Sequence, residues 1–146
     1  MGVSTDGQIC FGVLFEEGYE FPWDCEEYDY DIDVWWDEMN GFNPPFPFNS
    51  SLSEEEQQKY FEYRRNFKKQ HPLPVDTVNY CSCDYPMYIL AIPKTWFIAN
   101  RGYPVKFNPK ELEVSQNEIN NLLDFCEKYG LKFIDGPVWF LSSNWC

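Results

Sequence analysis

The first 58 residues contain fifteen Asp and Glu and no Lys or Arg, and this most constrains the fold. Like charges gathered on one surface repel, so a chain with such a block must expose it, neutralise it from elsewhere, or use it. From Lys59 onward eleven basic residues face nine acidic ones, so the front of the chain carries more than the whole net charge of −13. Solubility explains such a block in part. A partner with a basic surface explains it more sharply. Free nucleic acid and anionic membrane would both be repelled, so neither is an expected direct partner.

At 146 residues the chain has the size of one domain with a real core. Its 44% hydrophobic content is too high for a disordered acidic tail. Aromatic residues supply 20%, more than one small core needs, which places some of them at a surface meant to be covered. No basic segment followed by an apolar run opens the sequence, and no stretch has the length of a membrane span. Gly2 is no myristoylation signal, because Asp6 stands where Ser or Thr is required. Asn49-Ser50-Ser51 is a glycosylation triplet in form only. The expectation is a cytoplasmic protein with its six cysteines reduced.

Gln8 to Phe15 is an apolar run bounded by glycines and reads as a first strand. In Tyr28 to Val34, apolar and acidic residues alternate without a fault, a period-two pattern that predicts a strand. A short helical turn through Trp35-Trp36 remains compatible with so brief a run. Gly41 to Phe48, with three prolines, must be a loop. A helix over about 52–70 is marked by Ser51 or Ser53 as cap, a Glu three residues on, and basic residues at its far end. Tyr60, Tyr63 and Phe67 form its buried stripe. Val75 to Cys81, Met87 to Ile92, Thr95 to Ala99 and Val138 to Ser142 read as strands. A second helix over about 115–130 has Ser115 as cap, Glu118 as its capping-box partner and Gly130 at its end. Strands and helices do not alternate regularly. The prediction is one α+β domain over residues 1–146, a mostly antiparallel sheet with two main helices.

Catalytic signatures fail one by one. His71 is the single histidine and precedes a proline in a helix-ending loop, so a nucleophilic triad lacks its base and His71 reads as solvent-facing. No glycine-rich phosphate loop occurs. Asp29, Asp31 and Asp33 open like a calcium loop, but Val34 and Asn40 occupy the positions of its glycine and its bidentate Glu. Two of these aspartates could still hold Mg²⁺, which needs few protein carboxylates. Cys81-Ser82-Cys83 lacks the two-residue gap of a zinc knuckle. No catalytic residue, resident metal or cofactor is expected.

Binding is the function class left. On a strand, same-face residues recur at about 6.6–6.8 Å, close to two axial phosphate steps of roughly 3.4 Å. Asp29, Asp31 and Asp33, extended by Glu26, Glu27, Asp37 and Glu38, would then imitate a nucleic-acid backbone before a basic groove. The alternative is an edge strand whose charges only prevent aggregation. Trp23 and Phe46, aromatics among these acids, are the expected anchors.

Several segments carry a resemblance: Ser4 to Gln8, Gly12-Val13, Glu16 to Gly18, Glu20 to Trp23, Trp35-Trp36, Asn79 to Ser82, Pro86 to Ala91 and Trp139 to Ser143. Together they resemble a family of small acidic proteins of tailed bacteriophages. The resemblance covers most of the chain and transfers no functional residue. It implies expression in a bacterial host cytoplasm and action on host machinery. The expected role is therefore an acidic, nucleic-acid-mimicking inhibitor of a basic host protein, such as a restriction or CRISPR nuclease. Rivals are a small Mg-dependent enzyme on nucleic acid or nucleotide and a virion structural or assembly protein.

Overall fold

A computed structural model describes residues 5–145. The protein is α+β, and the described residues form a five-stranded, mostly antiparallel sheet and three helices. Its contacts divide into two compact units. One joins the residues up to Glu20 with those from Pro74 on, and the other is Phe21–Leu73.

In the first unit, β1 (Thr5–Leu14) is the organising strand. Along one edge it pairs antiparallel with β5 (Asp135–Trp145), Cys10 opposite Phe140. Its other pairings are with β4 (Phe97–Ala99) at Gln8 opposite Ile98, and with β3 (Pro86–Ala91) at Val13 opposite Leu90. The strand β2 (Asp76–Ser82) pairs antiparallel with β3 and meets β5 in a short parallel ladder at Cys81 and Ser82. The circuit β1–β5–β2–β3–β1 thus closes the sheet on itself. Cys10, Val78, Ile89 and Ala91 form the buried cluster, flanked by Leu14, Tyr80, Trp96 and Phe140.

Closure requires two backbones to approach unusually near each other. At Gly12 an added Cβ would lie 2.1 Å from the carbonyl oxygen of Leu90, so only glycine lets β3 reach β1 there. The β1–β5 register shifts just beyond it, between Gly12 and Leu14, as a strand that must bend allows. Gln8 and Thr95 are satisfied in this interior, whereas Thr77 Oγ1, Ser142 Oγ and Asn144 Oδ1 are buried without a hydrogen-bond partner among the described residues. The Gln8 amide donates to the Asn79 carbonyl (2.8 Å), and its oxygen accepts from the Trp96 indole (3.0 Å). The Thr95 hydroxyl donates to the Ile92 carbonyl (2.6 Å) and accepts from the Phe11 N–H (3.1 Å). The helix α3 (Gln116–Lys128) starts at the Ser115/Glu118 capping box and buries Leu122, Phe125 and Cys126. Gly130 follows with a φ of 66°, the left-handed closure its sequence signals.

The second unit has no strand among its residues. It comprises a 3-10 turn (Glu26–Tyr28), α1 (Ile32–Met39), the proline-rich loop and α2 (Glu54–Gln70). Ser53 and Glu56 close the α2 capping box, which selects Ser53 over Ser51 as the cap. Aromatic rings make the core. Trp23 stacks on Phe21 at 4.7 Å and lies 5.1 Å from Trp35. Phe42, from the loop, meets Tyr63 and Phe67 of α2 at 5.5 and 5.1 Å. His71 is not a free solvent-facing residue: its ring packs 4.7 Å from Phe67, and its carbonyl accepts from the Trp36 indole.

Cys10, Cys25, Cys81 and Cys126 are free thiols. Burial, joined at Cys10 by the charge of Asp76, pushes Cys10 and Cys126 up to about 11, so both are inert core thiols. Cys83 is disulfide-bonded, which corrects the expectation of uniformly reduced cysteines. Cys146, Gly2 and Ser4 lie outside the described residues.

Candidate functional site

The acidic segment is not a strand. Cys25 to Asp31 forms a tight turn, and Asp31 then caps α1 by accepting the Asp33 N–H at 2.7 Å. The same carboxylate alternation that suggested a ladder contains a helix N-cap, and Ile32, Trp35 and Met39 follow at helical spacing. The helix buries Trp35 and leaves Tyr30 and Val34, two residues of the supposed apolar face, exposed. Strand-like spacing of Asp29, Asp31 and Asp33 is therefore absent, and a backbone mimic built on that spacing is corrected.

What replaces it is a strained, well-bonded turn. The Tyr30 N–H reaches the Cys25 carbonyl and the Asp29 N–H reaches the Glu26 carbonyl, the paired bonds of a Schellman closure. Asp29 takes the left-handed position that glycine usually fills, with a φ of 51°. Tyr30 follows it at 56°. A bulky residue in this region costs on the order of 1–2 kcal/mol, and the surrounding bonds hold it there. The Tyr30 ring is 64% exposed, between the exposed carboxylates of Asp29 and Asp31.

The other predicted residues separate into two groups. Glu26, Glu27, Asp29, Asp31, Asp33 and Glu38 are exposed. Partial desolvation, and then the charges of Glu27 and Glu38, raise the pKa of Tyr28, so these carboxylates act on one locality. Asp37 is only 7% exposed, and Trp23 only 3%. Asp37 therefore serves the fold through Lys68, whose ammonium lies 2.9 Å from it and 2.8 Å from Asp33. Burial opposes the Lys68 charge, but the hydrogen bonds and charges of the two aspartates outweigh it and raise its pKa. Trp23 belongs to the aromatic stack and is no surface anchor. Phe46 is half-buried.

Tyr30 is the residue that pattern reading missed. Period two assigned it to the apolar face of a strand, and nothing in composition marks a left-handed tyrosine. The Asp31 cap ahead of Ile32 was the signal that could have exposed the error. Among the described residues, no group of three or more His, Cys, Asp and Glu is placed to hold a metal. Nor, among them, is any helix long and apolar enough to cross a membrane. Comparison with family models, curated proteins and solved structures found no match to this chain.

Proposed function

We propose that this chain acts by binding rather than catalysis: the acidic turn from Glu26 to Asp31 docks against a basic surface of another protein. In the setting implied by the phage resemblance, a bacterial host cytoplasm, that protein is a host nucleic-acid-binding or defence protein. A restriction or CRISPR nuclease, inhibited by occupation of its basic groove, is the partner class proposed.

The observation that carries this reading is Tyr30, exposed and held in a left-handed conformation amid carboxylates. Strain retained at a surface tyrosine offers the core nothing, whereas a rigid aromatic ringed by charge is what interface anchors use. Asp29, Asp31, Glu26 and Glu27 would supply the steering field, and the encounter would weaken with salt. Asp33 is half of an internal ion pair and contributes less.

DNA cleavage by purified host nucleases, titrated with the chain, tests the proposal. The wild type should inhibit at least one, and Tyr30→Ala should weaken inhibition by about 30-fold or more, as for a hot-spot residue. Reversal of Asp29 and Asp31 to Lys should abolish it without unfolding. An inhibition unaffected by either change would refute the assignment.

A further inference from the structure

The same unit also carries the reverse of this surface. All five cations of Phe21–Leu73 lie on α2, and four of them, Arg64, Arg65, Lys68 and Lys69, occupy its C-terminal half. With Phe61, 46% exposed, they line an open hollow of about 540 Å³. Placing cations near a helix C-terminus is favourable, but the pairs 64/68 and 65/69 are like charges at i,i+4, which oppose it. Twelve carboxylates share the unit, yet among the described residues only Lys68 takes any of them. Arg64, Arg65 and Lys69 have no carboxylate within salt-bridge distance among the described residues.

An acidic turn and a basic, open hollow thus sit on one small unit. Tyr30, flanked by Glu26, Glu27, Asp29 and Asp31, is an exposed aromatic in an acidic setting. The hollow offers guanidinium groups and an aromatic wall, the surroundings that accept a tyrosine ring and its neighbouring carboxylates. Lys68, bound to Asp33 and Asp37 on α1, is the seam that joins the basic helix to the acidic segment. A surface that carries both signs side by side is self-complementary about a twofold axis, each copy giving its turn and receiving the other's.

We infer that the α2 hollow receives the acidic turn of a second copy of this chain, forming a salt-sensitive twofold dimer. The dimer uses the same turn as the proposed function, so self-association and partner binding compete for it. It does not require that any partner exist. Repulsion between two chains of charge −13 opposes the encounter. At physiological salt that repulsion is screened beyond about 8 Å, which leaves the contact pairs to decide.

Sedimentation equilibrium of the isolated chain tests the inference. Dimer should be present at ~0.05 M salt and lost at ~1 M, where the screening length falls to about 3 Å. Two charge-reversed variants give the decisive arm, with far-ultraviolet dichroism and melting confirming that both fold. Arg64→Glu/Arg65→Glu opposes acid to acid, and Glu26→Arg/Glu27→Arg opposes base to base, so each alone should be monomeric. An equimolar mixture should form the mixed dimer, because both of its contacts then join opposite charges: the acidic turn of one variant faces the retained arginines of the other, and the reversed turn faces the reversed hollow. Tyr30→Ser, a milder change, should weaken the wild-type dimer by tenfold or more. A wild type that stays monomeric at ~0.05 M salt, or variants that fail to associate on mixing, would overturn the dimer. Arg64→Glu/Arg65→Glu keeps the turn intact and should still inhibit the nuclease, so loss of the dimer and loss of the proposed function are told apart.

Discussion

The sheet unit and the helical unit carry the same number of carboxylates, twelve each, although the second has little more than half the residues of the first. Along the chain the negative charge looks confined to the front. Once folded, Asp6, Glu16, Glu17 and Glu20 join the sheet unit, and α2 places five cations in the unit that holds residues 24–38. An asymmetry of sequence order is therefore not an asymmetry of space. What distinguishes the helical unit is how tightly its acids are gathered along the sequence, eight of them between Asp24 and Glu38. The sheet unit is held by strand pairing and a buried aliphatic and aromatic interior, and the helical unit by ring contacts and by Lys68.

The sharpest way to break this contrast is at Gly12. A Cβ there collides with the Leu90 carbonyl, so Gly12→Ala should cost about 3 kcal/mol or more by urea unfolding, through forced separation of β1 and β3. A loss under about 1 kcal/mol would mean that the sheet does not depend on this close approach.

Next comes Lys68→Met, which leaves Asp37 buried without its cation. Because Lys68 is partly solvated, the expected loss is about 1–3 kcal/mol, below that of a fully buried pair. Its pH signature is specific. The raised Lys68 pKa contributes stability that is fully present below the ordinary lysine value of 10.5 and fades as pH rises through the higher folded value. Wild type and variant should therefore converge in stability only at strongly alkaline pH. Parallel curves across that range would remove Lys68 as the cause.

The smallest effect has the opposite sign. Tyr30→Gly relieves a left-handed backbone and should raise stability by about 0.5–1 kcal/mol while the docking described above is lost. A destabilised variant would show that the Tyr30 ring supports the fold.

Both long helices were legible in the sequence because their signals are local. Ser53 with Glu56, and Ser115 with Glu118, define starts that no distant contact alters. The strands were legible from their apolar runs, but the closing of the sheet was not, since β1–β3 contact depends on residues more than seventy positions apart. Residues 28–34 misled because two periods overlap there. Their acids recur every second residue, while Ile32, Trp35 and Met39 recur at helical spacing, and burial of an indole outweighs an alternation of solvated carboxylates. Of the candidate site, the acids were found from composition and their arrangement was not. Trp23 was misplaced for the related reason that an aromatic beside acids can equally be covered by its own neighbours.

The insertion of Phe21–Leu73 between β1 and every strand it pairs with has a consequence for biosynthesis. As the polypeptide leaves the ribosome, Ile9 to Leu14 must wait, unpaired and apolar, while the intervening segment and most of the remainder are translated. The nascent chain thus passes through a stage in which the helical unit is fully synthesised while the sheet unit holds a single orphan strand. The carboxylates that follow that strand, from Glu16 onward, are placed to keep it soluble during the delay.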